Sequence, residues 1–309
     1  MSRQYSSKPK IGFIGTGTVG TALAVRLGAK GYPVVAASDK TLSSTQRFAS
    51  MVPGCRTYQQ NQDVVDNADI VFITTHDDAI APVAASLKWH SGQSVVHCSG
   101  AASLDILAPA KVDGATTGAI HPLQTFAGLS SAIDNIPGST FGIEADEPLL
   151  STLQEIAGEL ECNWVKLDAS DKVLYHAAAV LVSNYCVTLV KLATDLWKSF
   201  GIEPKQATQA LLPLLQGTIN NIGNTGIPEC LTGPIARGDT GTINKHIAAL
   251  ELSSPDALPA YLEMGLQTIP IALAKGRIDR ETAEALQKLL EEKQHERDAN
   301  RENPSRTSY

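Results

Sequence analysis

Basic charge is scarce in this chain. Lys and Arg number 25 against 32 Asp and Glu, a net charge of −7, which disfavours a nucleic-acid or anionic-membrane partner. Cysteine is thin as well: Cys55, Cys98, Cys162, Cys186 and Cys230 are odd in number, scattered and without a C-x-x-C pair. That spacing argues against a disulfide framework or a zinc site and fits reduced thiols in a cytoplasm. Met1 to Pro9 has no apolar core, so no signal peptide is expected, and no uninterrupted apolar run reaches membrane-spanning length. Internal repeats and low-complexity domains are missing too. What is there is a globular composition, in 309 residues that suit one large domain or two ordinary ones.

The chain is organised around Lys10-Ile11-Gly12-Phe13-Ile14-Gly15-Thr16-Gly17-Thr18-Val19-Gly20. An apolar strand leads into glycines spaced G-x-G-x-x-G at Gly15, Gly17 and Gly20, and Thr21 to Leu27 continues as a helix. Each glycine has a role in a dinucleotide site. Gly15 permits the tight turn, Gly17 lets a pyrophosphate approach the backbone, and Gly20 lets the helix pack close to the strand. Phosphates would sit on free N–H groups around Thr18 and Val19, where the helix dipole favours negative charge.

Strands and helices then alternate. Strands are predicted at 34–37, 55–57, 68–74, 94–98, 115–120, 139–143 and 163–167, and helices at 43–51, 77–87 and 148–160. Such alternation implies a mostly parallel, doubly wound sheet covered on both faces, an α/β Rossmann domain over 1–167. From Asp168 the pattern turns all-α. One long helix from Asp168 to Phe200, ending at Gly201, founds a helical domain over 168–293. It is apolar on nearly every side, so burial is expected, partly against a second subunit. Pro213 should kink the next helix, and Asp239, Ser254 and Asp279 are cap candidates. The charged stretch 294–309 reads as a disordered tail following a fraying helix.

The cofactor preference is read at the end of the second strand, Ala37-Ser38-Asp39-Lys40. An acidic residue there holds the ribose 2′-OH of NAD, whereas small or basic residues admit the 2′-phosphate of NADP. Ser38 falls at the acidic position and Lys40 is a phosphate donor, which favours NADP(H) over NAD(H). Asp39 argues the other way.

Ligands of open α/β sheets bind beyond the carboxyl ends of the strands. Thr75 and His76, after the fourth strand, are placed to line a ribose, with an exposed loop as the alternative for His76. His97 reads as a hydrogen-bonded core residue, while Ser99 and Gly100 after it are candidate nicotinamide or substrate contacts. His121-Pro122-Leu123-Gln124-Thr125-Phe126 puts His121 at a strand tip, with Gln124 close by. Lys172, His176, Val180 and Asn184 recur every four residues and share one helix face. There His176 can exchange the proton that accompanies hydride transfer and Asn184 can orient a carbonyl; an intersubunit hydrogen-bond network is the alternative. Lys172 is expected in solvent near the helix start. Arg237, in Gly233-Pro234-Ile235-Ala236-Arg237-Gly238-Asp239, either forks onto a substrate carboxylate or pairs structurally with Asp239. No metal set is visible.

Taken together, the glycine turn, His97-x-Ser99-Gly100, the His121 to Phe126 stretch, Tyr175-His176-Ala177-Ala178 with Ser183-Asn184, and the Gly233 to Asp239 loop resemble one family. It is the group of Rossmann-like oxidoreductases with a C-terminal domain of unknown function 2520. The resemblance spans about Lys10 to Ala285. It implies kinship with the 6-phosphogluconate-dehydrogenase-like superfamily, including pyrroline-5-carboxylate reductase, ketopantoate reductase, β-hydroxyacid dehydrogenases and prephenate dehydrogenase. It also implies a helical domain that dimerises and an active site in the cleft between domains. β-Hydroxyacid dehydrogenases carry a Lys and an Asn one turn apart on the long helix. Here Val180 stands one turn before Asn184, so a His-assisted mechanism is expected instead.

The sequence therefore points to a cytoplasmic, homodimeric NAD(P)H-dependent dehydrogenase or reductase. It would act on a small carboxylate-bearing carbonyl or hydroxy acid, or on an imine. His176, Asn184 and His121 are the catalytic candidates, and Ser99, Gly100, Gln124 and Arg237 the substrate contacts. Gly15, Thr16, Gly17, Thr18, Val19, Gly20, Ser38, Lys40, Thr75 and His76 would hold the cofactor. The rival reading is a non-catalytic NAD(P)-binding sensor or assembly subunit, kept open by the missing lysine.

Overall fold

The computed structural model describes residues 7–302 and divides into two compact units between Asn184 and Tyr185. The division lies inside the segment that the sequence reading gave whole to the helical domain. The first unit runs β1 (Ile11–Ile14), α1 (Thr18–Ala29), β2 (Val34–Ser38), α2 (Leu42–Met51), β3 (Arg56–Tyr58), α3 (Asn61–Val65), β4 (Ile70–Ile73) and α4 (Asp77–Ala85). It continues through β5 (Ser94–His97), α5 (Ala108–Val112), β6 (Thr116–Leu123), α6 (Leu129–Asn135), β7 (Thr140–Ala145), α7 (Leu149–Glu159), β8 (Asn163–Lys166) and α8 (Lys172–Val182).

The eight strands form one sheet in the order β3-β2-β1-β4-β5-β6-β7-β8. Every pairing is parallel except β6 with β7. The chain reverses its strand order between β1 and β4, and that switch point sits at the glycine turn. Strand alternation feeds two cores. Phe13, Ile70 and Phe72 face one side with Leu23, Leu27, Phe48 and Leu153. Ile14, Val71 and Ile73 face the other with Val64, Ile80 and Leu107. Helices therefore cover both faces, as the near-continuous apolar strands require.

β6 is longer than expected and carries His121, Pro122 and Leu123 inside the strand rather than at its tip. Its antiparallel partner β7 extends it, with His121 opposite Gly142. Pairing with β5 has already stopped at Ala119, so Pro122 lies where one side of the strand has no ladder to interrupt. His97 is the expected core histidine. It is wholly buried in β5, and burial together with the Lys172 charge holds its pKa down at about 3.

The expected long helix is present as Lys172–Phe200, with a one-residue irregularity at Ser183 (φ −98°, ψ −71°) between α8, which ends at Val182, and α9 (Asn184–Leu196). A 3₁₀ turn at Trp197–Phe200 then closes at Gly201, whose φ of 80° favours glycine. Burial of this stretch is not seen within the chain: Leu174 is 76% exposed and Val182 80%. By length and mean hydropathy, 1.6 over its most apolar window, Lys172–Phe200 is long and apolar enough to cross a membrane. The segment is not an uninterrupted apolar run, since His176, Ser183 and Asn184 fall within it, and it passes on its average alone. Lys172, however, is buried in an ion pair within the first unit.

The second unit adds α10 (Pro204–Thr225), α11 (Thr240–Ser253), α12 (Leu258–Ala274) and α13 (Arg280–Glu302). Asp239 caps α11 by accepting from the Thr242 N–H at 2.9 Å, and Asp279 caps α13 through the Thr282 N–H at 2.8 Å. Ser254 ends α11 instead of starting a helix. The reading of 294–309 as a disordered tail is corrected for 294–302, which continue α13. Lys293 meets Glu296 at 2.8 Å and Glu251 of α11 at 3.5 Å, and Gln294 donates to Glu263 of α12 at 3.2 Å. These contacts hold a polar segment helical. The remainder of that expectation, 303–309, lies outside the described residues.

Phe13 anchors the first core. It is fully buried, stacked on Phe72 at 5.2 Å between centroids and tilted against Phe48 at 5.9 Å. Phe13→Ala should lower the unfolding free energy by about 3–5 kcal/mol, read as a fall in the urea midpoint of the first unit.

Candidate active site

The glycine turn is shaped by two absent side chains and opened by a third. Gly15 adopts φ +101°, and a Cβ there would stand 2.8 Å from the Thr74 carbonyl carbon. At Gly20 a Cβ would be 2.4 Å from Thr74 Oγ1 and 2.5 Å from the Gly15 carbonyl oxygen. Both glycines thus let the turn and α1 lie directly on the end of β4. Gly17 has nothing within 4 Å of its Cβ position, so its backbone is open to the adjoining cleft. The first turn of α1 has no side-chain cap and no acidic residue, which leaves its N–H groups and positive dipole end to an anion. These residues fit a dinucleotide pyrophosphate.

That cleft, about 750 Å³, is lined by Gly15, Gly17, Thr18, Val19, Ser38 to Thr41, Ser44 and Thr74 to Asp77. The β2 residues divide their duties unlike the sequence expectation. Ser38 is wholly buried and its hydroxyl donates to Asn61 Oδ1 at 2.8 Å, so it is engaged inside the fold. The Asp39 carboxylate accepts from the Thr16 N–H at 2.7 Å, the Thr16 hydroxyl at 3.1 Å and the Thr41 N–H at 2.9 Å. It clasps the glycine turn to the loop after β2. Lys40 is exposed on the cleft wall. Thr75 and exposed His76 line the same cleft, with His76 at the N-cap of α4.

A second cleft, about 590 Å³, is lined by His121, Gln124, Thr125, Tyr175, His176, Val180 and Asn184, among others. The loop after β6 contributes to both, with Phe126 lining the first and Thr125 the second. The stripe His176, Val180, Asn184 therefore does face one cleft. Lys172 departs from it. Expected in solvent, it is 2% exposed and its Nζ lies 3.1 Å from Glu144 Oε2 on β7. Burial holds its pKa below the usual lysine range, and the Glu144 carboxylate opposes that fall. A charge this deep is tolerated only when paired.

Ser99 is 3% exposed, donates to Asp77 Oδ2 at 2.6 Å and accepts from the Ala102 N–H at 3.1 Å. Its hydroxyl shapes the turn that presents Gly100. At Gly100 a Cβ would lie 2.8 Å from His176 Nδ1 and 2.9 Å from His121 Nε2, so two ring nitrogens converge on this backbone. The rings are edge to face at 5.9 Å. His121 Nδ1 bonds Tyr175 Oη at 2.9 Å. Burial, then the His176 and Lys172 charges, bring the His121 pKa down to about 4, so it is neutral at pH 7. Burial pushes Tyr175 up to about 12. His176 Nδ1 is buried with no hydrogen-bond partner among the described residues. Cys98 nearby is pushed up to about 12 by burial, too high for a reactive thiolate.

The other candidates make different contacts. Gln124 is exposed and donates to the Asn135 carbonyl at 3.3 Å. Asn184 is exposed at the start of α9. Arg237 belongs to the second unit, where the Gly233 to Asp239 loop is a 3₁₀ turn between two positive-φ glycines, ending in the Asp239 cap. The Arg237 side chain is 65% exposed and 4.0 Å from Asp239, a loose pair. No group of three metal-ligating residues occurs among the described residues.

Sequence reasoning missed Tyr175, Glu144 and Asn61. Two of them left a trace. Tyr175 sits directly beside His176, and Glu144 is a lone acid in an apolar strand that needs a buried cation. Asn61 left none.

Comparison with known proteins agrees with this fold. Residues 2–122 match the Rossmann-like domain family, and residues 139–268 match the domain of unknown function DUF2520. No curated protein matches the chain. Among solved structures, a Bacteroides fragilis protein assigned as an NADP oxidoreductase is 24% identical, with TM-score 0.69 over 85% of this chain and 98% of its own. A reductive aminase from Aspergillus terreus, in complex with NADPH and ethyl-5-oxohexanoate, is 17% identical with TM-score 0.58, covering 94% and 95%. A Coxiella burnetii pyrroline-5-carboxylate reductase is 15% identical with TM-score 0.57, covering 93% and 99%. At these identities the likeness is one of fold. The chain belongs to the proteins that join a Rossmann-like domain to the domain of unknown function 2520.

Proposed function

We propose that this protein is an NAD(P)H-dependent reductase or dehydrogenase. Its substrate would be a small carboxylate-bearing carbonyl or hydroxy acid, or an imine. One observation carries the reading: beside the open glycine-turn cleft, a second cleft is lined by His121 and His176, whose ring nitrogens converge at Gly100. The buried, unpartnered Nδ1 of His176 supports catalysis over a purely structural role, because such an atom costs about 1–3 kcal/mol unless something meets it.

When bound, the cofactor supplies the hydride. The chain's own part is orientation and proton handling. Gly17 and the first amides of α1 hold the pyrophosphate. His176 gives a proton to the substrate oxygen or nitrogen during reduction and takes one back in the reverse direction. His121 contacts the same atom, and Asn184 helps orient it. The preference for NADP(H) is supported by Lys40 on the cleft wall and by the engagement of the Asp39 carboxylate with Thr16 and Thr41, which draws it from a ribose hydroxyl. Structural neighbours in complex with NADPH, a reductive aminase among them, support the same preference.

The exposed apolar faces of α8 and α9 are assigned to a second copy of the chain, giving a homodimer. The free cysteines support a cytoplasmic setting.

Two variants test the assignment. His176→Ala should lower kcat about 10²–10⁴-fold, followed as NADPH absorbance against a panel of ketones, amines and cyclic imines, with NADPH affinity retained. Unchanged turnover would remove His176 from the mechanism. Lys40→Ala should weaken NADPH about tenfold in a binding titration and leave NADH unaltered, since only the 2′-phosphate meets that ammonium. An equal loss for both cofactors would place Lys40 elsewhere.

A further inference from the structure

Tyr175 has no role in the scheme above, yet it makes a direct hydrogen bond to His121 Nδ1, at 2.9 Å. Its position is prepared by a glycine. Gly142, opposite His121 across the β6–β7 pair, would place a Cβ 2.8 Å from both Tyr175 Cζ and Oη. Any other residue there would push the phenol off the imidazole.

The direction of this bond decides what His121 can do. Among the described residues, His121 Nδ1 is the side-chain group hydrogen-bonded to the Tyr175 oxygen. The phenol keeps its proton around pH 7, and Nδ1 is the acceptor it reaches. The alternative has Nδ1–H donate to Tyr175. The phenol proton would then have no acceptor among the described residues, and His121 Nε2 would be a bare acceptor facing Gly100. The phenol is protonated and the imidazole neutral around pH 7, which suits the first arrangement.

We infer that Tyr175 is a positioning residue that fixes His121 as the Nε2–H tautomer, making it a standing hydrogen-bond donor beside Gly100. The inference rests on the reductase reading for its purpose but not for its test. With His121 locked, the two histidines have different duties. His121 Nε2–H donates to the substrate heteroatom throughout. His176, whose Nδ1 faces the same backbone without a partner, is the one that exchanges the proton. The surroundings agree with a histidine kept neutral: Lys172 and His176 of α8 disfavour its protonation, and Asp77 of α4 opposes them more weakly. Lys172 is itself paired with Glu144.

The test is long-range ¹H–¹⁵N spectroscopy of the histidine side chains in the full-length labelled protein at pH 7, without cofactor or substrate. His121→Gln identifies the His121 signals by their loss. The expected spectrum shows neutral His121 with its proton on Nε2 and an Nδ1 resonance displaced by an accepted hydrogen bond. In Tyr175→Phe that resonance should move to the position of a free imidazole nitrogen. A wild-type proton on Nδ1, or an Nδ1 signal indifferent to Tyr175→Phe, overturns the inference. If the variant does not fold, the wild-type tautomer alone decides. Failure of NADPH to bind would leave this spectrum unaffected, so the tautomer and the reductase reading stand or fall separately.

Discussion

Close backbone approach at the carboxyl ends of β1 and β4 is the constraint on which the first unit depends. Gly15 and Gly20 remove two side chains, and Thr74 fills the space, donating its hydroxyl to the Gly15 carbonyl at 2.6 Å. α1 can then begin directly against the sheet, with its unpaired amides turned to the cleft. Asp39 holds the other side of the same turn through Thr16. The proposed phosphate cradle is therefore fixed by backbone contacts before any ligand arrives, which would lower the ordering cost of binding.

The histidine site is built by the same device one step along the sheet. Gly100 and Gly142 are the two positions where missing side chains let rings approach backbone, one for the imidazole pair and one for Tyr175. Beneath them the Lys172–Glu144 pair ties the start of α8 to β7. Removing either partner would leave an uncompensated buried charge, and α8 would lose the anchor that aims His176. The ion pair is thus a positioning element for the site as well as a packing one.

Much of this was legible in the sequence because strands buried on both faces write themselves as apolar runs. Ile11–Ile14, Ile70–Ile73 and Ser94–His97 are such runs, and the glycine spacing identified the switch point. The helices Asn61–Val65, Ala108–Val112 and Leu129–Asn135 were not foreseen, since five to seven residues carry too little periodicity to show. His121 moved from a strand tip into the strand because β7 pairs beyond the point where β5 stops. Lys172 looked solvated because its partner, Glu144, lies on a distant strand. Spacing placed Ser38 and Asp39 correctly along the chain but could not reveal that Asn61 and Thr16 already engage them.

The central claim is that the first unit holds a nicotinamide dinucleotide against its glycine turn. The most direct measurement is a fluorescence titration of the purified wild-type chain with NADPH and, separately, with NADH. Saturable binding of both, tighter for NADPH, is the result expected from the open Gly17 backbone and the exposed Lys40. No binding of either at near-millimolar concentration would contradict the account and return the protein to the class of folds that keep the architecture without the cofactor.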